Sequence, residues 1–253
     1  MSRQKIALVT GGSRGLGKNM ALALAKKGND VIITYNSGKL EAEQVIVEIE
    51  KTGQKAAALQ LNVGEVKTFD SFAADLTEML EAKWNQSNFD FLVNNAGIGI
   101  NTPFESTTED QFDLLTDIHF KGVYFLVQKL LPFIASQGRI INVSTGLTRF
   151  ALPGYSAYAA MKGAIEVLTK YLAKELGARG ITVNAVAPGA IETDFGGGVV
   201  RDNEQVNEFV ASNTALGRVG LPDDIGGVIA FLCSEEAHWV NAQRIEVSGG
   251  MFI

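Results

Sequence analysis

Seven short runs rich in apolar and β-branched residues recur along this 253-residue chain, each separated from the next by a longer segment of helical character. The runs are "KIALVT" (5–10), "DVIITY" (30–35), "KAAALQLNV" (55–63), "FDFLVNNAG" (89–97), "GRIINVS" (138–144), "GITVNAVAPG" (180–189) and "QRIEVSGG" (243–250). Strands joined by helix-length crossovers run parallel, because the chain must return to the same end of the sheet before it can pair again. Several of the runs are apolar at nearly every position, the pattern of strands covered by helices on both faces. Helical segments at about 15–28, 39–52, 66–83, 108–135, 154–178 and 222–234 supply the crossovers. The expectation is a doubly wound α/β fold on a parallel sheet. A hydrophobic fraction of 46% fills a sizeable core, and no linker or internal repeat interrupts it, so residues 1–253 read as a single domain. The one long interruption, 190–221, carries three consecutive glycines between a strand end and polar helical pieces, and reads as a substrate-binding lid.

A formal charge of −6 without any basic run argues against a nucleic-acid or anionic-membrane partner. No stretch approaches a membrane span, and the opening "MSRQKIALVTGG" lacks the apolar core of a signal peptide. The single cysteine, Cys233, cannot form an internal disulfide and lies in the apolar run "VIAFLC", so it reads as a buried thiol of a reducing cytoplasm. The sequons at Asn85 and Asn142 are then chance matches. His119 and His238 have no partners at ligand spacing, and no metal is expected. A small-molecule partner remains.

The first run passes directly into "TGGSRGLG" (10–17) and then a helix. In an open α/β sheet that turn lies at the carboxyl end of a strand, where ligands bind. Glycines let the backbone approach a ligand closely, and the amides of a helix's first turn favour a phosphate. The stretch Gly12 to Asn19 nearly matches a nucleoside-triphosphate loop, but Asn19 stands where that loop needs a magnesium-binding hydroxyl. Further along, "YSAYAAMKGA" (155–164) places Tyr158 and Lys162 four residues apart, one turn apart on one face of a helix. Taken alone, the pair also fits an ordinary solvent-facing phenol and ammonium.

Taken together and in this order, "TGGSRGLG", "NNAG" (94–97), Ser144, Tyr158 with Lys162, and "PGAIET" (188–193) resemble the short-chain dehydrogenase/reductase family over the whole chain. The resemblance is strongest to its members similar to 3-oxoacyl carrier-protein reductases. It implies a seven-stranded Rossmann sheet, a nicotinamide cofactor and hydride transfer at a carbonyl or alcohol carbon. It assigns Tyr158 as acid/base, Lys162 as a group that also holds the nicotinamide ribose, and Ser144 as a hydrogen-bond donor to the substrate oxygen. Cofactor contacts fall on Gly11, Ser13, Arg14, Gly15, Leu16 and Gly17 in the glycine loop, and on Asn95, Ala96 and Gly97 beside the adenosine half. Asn62 stands, with Val63, where the family often has an Asp against the adenine. Pro188 and Gly189 shape a turn from which the backbones of Ile191 and Thr193 meet the carboxamide.

The chemistry agrees with that assignment. Hydride arrival puts negative charge on a ketone oxygen, and the site must return a proton near neutral pH. A phenol with pKa about 10 holds its proton tightly; bringing it to about 7 takes about 4 kcal/mol, expected from Lys162 and the positive nicotinamide of the oxidised cofactor.

An acidic residue ending the second strand would repel a 2′-phosphate, but "TYNSGK" (34–39) has none. NADP(H) is therefore expected, held by Arg14 with help from Asn36 and Ser37. Ile98, Ile100, Phe150, Leu152, Phe195 and lid residues near Val199 are the expected walls of a hydrophobic substrate pocket. Arg149 and Arg201 are the only hint of a basic rim for a carrier protein. A catalytically idle, cofactor-binding sensor is the alternative from another class. The long apolar helices at 108–135 and 154–178 predict a homotetramer, with the tail "MFI" (251–253) buried near an interface. His119 departs from the family, which usually has Asn there to shape a helix kink whose freed carbonyl holds a proton-relaying water. The expectation is that the kink survives with a neutral His119 supporting it.

Overall fold

Successive residues of a strand enter opposite layers, and here both layers are apolar. A computed structural model describes residues 3–253. In its first strand, β1 (Ile6–Val9), Ile6 and Leu8 pack into one apolar cluster while Ala7 and Val9 pack into another. The first layer is closed by α3 (Phe69–Trp84), α5 (Gly122–Leu130) and α6 (Ser156–Leu176), through Phe69, Leu76, Leu126 and Leu176 among others. The second is closed by α1 (Gly15–Lys26), α2 (Lys39–Glu50) and α9 (Asp223–Leu232), through Met20, Leu24, Ile49, Ile225 and Ile229.

The remaining strands are β2 (Asp30–Tyr35), β3 (Ala56–Gln60), β4 (Phe89–Asn94), β5 (Ile134–Val143), β6 (Thr182–Pro188) and β7 (Arg244–Val247). All seven form one parallel sheet in the order β3-β2-β1-β4-β5-β6-β7. The order reverses between β1 and β4, so the loops leaving these two strands open a crevice at the carboxyl edge.

The helix expected at 108–135 is not continuous. It divides into α4 (Glu109–Thr116), a widened π turn (Asp117–Lys121) and α5, and after a 3₁₀ turn at Leu131–Phe133 the chain is already in β5. Pro132, which lacks an amide donor, stands in that 3₁₀ turn. At the π turn the cause is a close approach: a Cβ on Gly122 would lie 2.0 Å from the Val63 carbonyl oxygen and 2.7 Å from that of Asp117. Only glycine lets the helix run this near the loop after β3.

The segment 190–221 folds into a 3₁₀ turn (Phe195–Gly198), α7 (Val199–Asp202) and α8 (Glu204–Ser212). Gly196, Gly197 and Gly198 all have positive φ, which explains the glycine run. Val210, Val219 and Met251 form a third small core there, with Phe150, Val206 and Phe252 packed on it. The C-terminal tail is accordingly divided: Met251 is buried and Phe252 half-buried within this one chain, while Ile253 is 91% exposed.

Candidate active site

The crevice is built from two loops that brace each other. Asn95 Nδ2 donates to the carbonyls of Thr10 (2.9 Å) and Gly11 (3.2 Å), and Thr10 Oγ1 accepts from the amides of Asn95 and Ala96, both at 3.0 Å. A Cβ on Gly17 would lie 2.1 Å from the Gly11 carbonyl and 2.5 Å from Asn95 Nδ2, so the loop closes only around glycine. The α1 N-terminus has no side-chain cap and no acidic residue in its first turn. Its amides therefore face the crevice unneutralised, the arrangement that receives a phosphate. Arg14 is largely exposed, with only a loose 3.9 Å contact to Asp194. Asn36 and Ser37 are exposed at the end of β2, and Ser13 lies close to Gly38 there. Asn62 is turned inward on its own loop: Oδ1 accepts from the Gly64 amide (3.0 Å) and Nδ2 donates to Glu65 (3.1 Å).

Opposite the glycine loop, the π turn sets His119 into the wall of the crevice. Nε2 lies 2.8 Å from the Ile98 carbonyl and 3.3 Å from the Ile98 amide, while Nδ1 is buried without a partner. The ring meets Tyr158 edge to face, with centroids 5.1 Å apart. Burial first, and then the charge of Lys162, hold the His119 pKa down to about 3 against a small opposing effect of the Ile98 hydrogen bond. His119 is thus a neutral base at neutral pH. Between its ordinary 6.5 and 3 the unfolded chain binds more protons than the folded one, so this residue's contribution to stability is full above pH 6.5 and is lost on acidification. At about 1.4 kcal/mol per pH unit the slope is measurable. Urea unfolding midpoints of wild type are expected to fall more steeply than those of His119→Asn from pH 6.5 to 4. Parallel curves would contradict a neutral, buried His119.

Tyr158 and Lys162 are both buried on one face of α6, as their spacing requires. Lys162 Nζ donates to the Val143 carbonyl at 2.7 Å and lies 5.8 Å from the Tyr158 ring centroid. Burial lowers the lysine pKa to about 8, leaving it mostly charged at neutral pH. Within the protein itself, burial pushes the Tyr158 pKa up, only partly offset by the Thr145 side chain, and Tyr155 adds a further upward push. In this protein's own environment Tyr158 keeps its proton.

The Ser144 hydroxyl donates to Glu166 Oε1 at 2.6 Å, on the body of α6. Strand parity gives the reason. Asn142 and Ser144 share one face of the β5 end and reach Thr169 and Glu166 of α6, respectively. The next residue, Thr145, has an extended backbone and turns its side chain the other way. Thr145 Oγ1 accepts from the Leu147 amide at 3.3 Å, which leaves its own proton free to be donated. Nothing in the sequence alone separates Thr145 from its neighbour Ser144. Sequence reading passed over Glu166, although Glu166 lies four residues beyond Lys162, on the same helix face.

Of the expected pocket walls, Phe195 lies over the site, with its ring 5.9 Å from that of Tyr158 and tight against Gly99. Ile98, Ile100 and Leu152 are half-buried around the mouth. Phe150 packs at a tilt on Phe252, with ring centroids 4.7 Å apart, and joins the tail cluster. Ile191 pairs with Gly220, and the Thr193 hydroxyl accepts from the Phe195 amide, so Pro188, Gly189, Ile191 and Thr193 lead from β6 into the segment 190–221.

A parallel sheet of this order, with an uncapped helix at its reversal point and a buried Tyr/Lys pair beside it, defines a Rossmann-fold oxidoreductase. A family model described as Enoyl-(Acyl carrier protein) reductase matches residues 11–252. The 3-oxoacyl-[acyl-carrier-protein] reductase FabG of Staphylococcus aureus (strain Mu50) is 38% identical over 255 residues, covering all of both chains. The hydroxynaphthalene reductase-like protein Arp2 of Metarhizium majus is 34% identical, over 97% of this chain and 94% of that one. Among solved structures, the angucycline C-6 ketoreductase LanV with bound NADP superposes with a TM-score of 0.93 at 36% identity, over 98% of this chain and 95% of that chain. This chain belongs to the short-chain dehydrogenase/reductase family. It is an oxidoreductase that moves a hydride to or from a carbonyl or alcohol carbon of a small molecule.

Proposed function

We propose that this enzyme is an NADP(H)-dependent reductase of ring ketones on free hydrophobic molecules. The observation that carries the reading is a protonated, buried Tyr158, touched by Thr145, flanked by Lys162 and roofed by Phe195. Bound NADPH supplies the hydride. Tyr158 then delivers its proton to the developing alkoxide, and burial keeps that proton in place until the charge appears. The Thr145 hydroxyl and the Lys162 charge stabilise the phenolate left behind. Residues 190–221 close over the substrate as a lid hinged at Gly196 to Gly198.

Relatives named for keto-reduction or for hydroxynaphthalenes support a ring ketone. The FabG relative favours a second reading, an acyl chain delivered by a carrier protein. Against it, Arg149 is paired in two hydrogen bonds with Glu246, and Arg201 with Asp194 and Asp202, so neither presents a free charge to an acidic carrier. Arg14, Asn36 and Ser37 would hold the 2′-phosphate and the glycine loop the pyrophosphate, with Asn95 to Gly97, Asn62 and Val63 on the side of the adenosine half.

Steady-state kinetics with NADPH and NADH on bicyclic ring ketones, β-ketoacyl thioesters and simple diketones test this reading. Turnover of the ring ketones is expected to be fastest, with NADPH preferred, and Arg14→Ala is expected to cut that preference by about tenfold or more, as loss of a charge-assisted phosphate contact should. Equal efficiency with both cofactors, unchanged in Arg14→Ala, would sink the cofactor assignment. No turnover of any substrate would favour the idle sensor.

The assembly is read as a homotetramer. Phe112, Leu114, Tyr124, Phe125, Val167 and Tyr171 leave apolar surface exposed on α4, α5 and α6, more than one chain covers by itself. Light scattering at micromolar concentration is expected to return about four times the chain mass, and a monomer would contradict it. Cytoplasmic residence is our reading of the lone buried Cys233. Among the described residues no helix is long and apolar enough to cross a membrane.

A further inference from the structure

The turn that carries Thr145 is fastened by a chain of charges outside the crevice. Glu166 Oε1 accepts from three groups at once: Ser144 Oγ (2.6 Å), Thr148 Oγ1 (2.7 Å) and Arg244 Nε (2.7 Å). The Arg244 guanidinium, on β7, uses its other nitrogens on Glu246 Oε2 (2.9 Å), on Thr148 Oγ1 (3.2 Å) and on the backbone carbonyl of Thr145 itself (3.1 Å). Thr148 has one hydroxyl proton and two acceptors in reach, Glu166 and the Thr145 carbonyl at 3.0 Å. Glu246 is gripped in turn by Arg149, whose Nη1 and Nη2 also donate to the carbonyls of Phe252 (2.9 Å) and Met251 (2.5 Å). Alternating charges thus run from α6 through β7 to the tail. Within this chain of contacts, the hold on the Thr145 carbonyl that also rests on Glu166 is that of Arg244, whose Nη2 donates to the carbonyl while its Nε donates to Glu166; Thr148 can donate to one or the other.

We propose that Glu166 and Arg244 are a positioning pair that sets the Thr145 hydroxyl against Tyr158. Neither touches the reacting atoms. The pair acts by fixing a backbone carbonyl and the neighbouring hydroxyl, so that Thr145 meets the phenol in one geometry. A catalytic group displaced by a fraction of an ångström loses much of its effect, which gives a remote pair a large lever. The planar fork of arginine is what spans Glu166, Glu246, Thr148 and the Thr145 carbonyl together, and a lysine ammonium cannot cover four partners in that plane.

The inference rests on Thr145 serving Tyr158, and a mutant cycle separates the two claims. Glu166→Gln and Arg244→Lys are each made in wild type and in Thr145→Ala, with thermal melting to confirm folding and fluorescence titration for the NADPH Kd. In wild type each is expected to lower kcat by about tenfold with the Kd unchanged, and on Thr145→Ala by less than about twofold, because residues acting through one group do not add. The same factor on both backgrounds would show a general structural role and overturn the proposal, as would wild-type kcat in Glu166→Gln, the variant closest in shape. If Thr145→Ala alone keeps normal kcat, the reading of Thr145 fails and the pair fails with it. If Arg244→Lys does not fold, the Glu166→Gln cycle decides.

Discussion

Replacing Tyr158 by Phe is expected to lower kcat by about two orders of magnitude or more, the usual worth of a positioned general acid. The NADPH Kd should stay within about twofold, because the change removes one hydroxyl and leaves the ring in place. The ring is held by His119 on one side and Phe195 on another, so the variant has no reason to collapse or to expose the site. The hydroxyl it lacks is the one group at the site both buried and kept protonated by that burial. Reduction needs the protonated form, which a phenol already holds at neutral pH. Near-normal turnover in Tyr158→Phe, measured at saturating NADPH with the best ketone, would remove Tyr158 from the mechanism.

Thr145→Ala and Ser144→Ala are expected to part company. Loss of the Thr145 hydroxyl takes away the one side-chain hydrogen bond that favours the Tyr158 phenolate, and kcat should fall by about 10- to 100-fold, the range for a single oriented donor. Loss of the Ser144 hydroxyl leaves Glu166 with Arg244 and Thr148 still bound, and kcat should change by less than about threefold. Thr145→Ser retains the hydroxyl and should recover most of the lost rate. The reverse ranking, with the serine variant crippled and the threonine variant active, would restore the assignment made from sequence.

Local periodicity was enough to determine the architecture, while the roles of the site residues came from the resemblance of the ordered motifs to a family. The near-continuous apolar runs dictated buried parallel strands, and the helix-length spacers dictated crossovers, since both follow from contacts within a few residues of the chain. The pair Tyr158 and Lys162 was legible for the same reason: a four-residue spacing on a helix fixes a shared face whatever surrounds it. The glycine loop was legible from its place after the first strand. Three matters lay beyond such rules. Whether Ser144 or Thr145 turns toward the phenol depends on where the pleat of β5 gives way to the turn, and on Glu166 and Arg244, 22 and 100 residues away from Ser144. Whether Arg149 and Arg201 offer charge to a partner depends on carboxylates brought to them by β7 and by the segment 190–221. The break between α4 and α5 depends on Gly122 meeting the Val63 carbonyl from the loop after β3. Sequence sets the choices open to each backbone segment, while side-chain direction and charge pairing at the site are decided by contacts between segments distant in the chain, which exist only once the sheet has assembled.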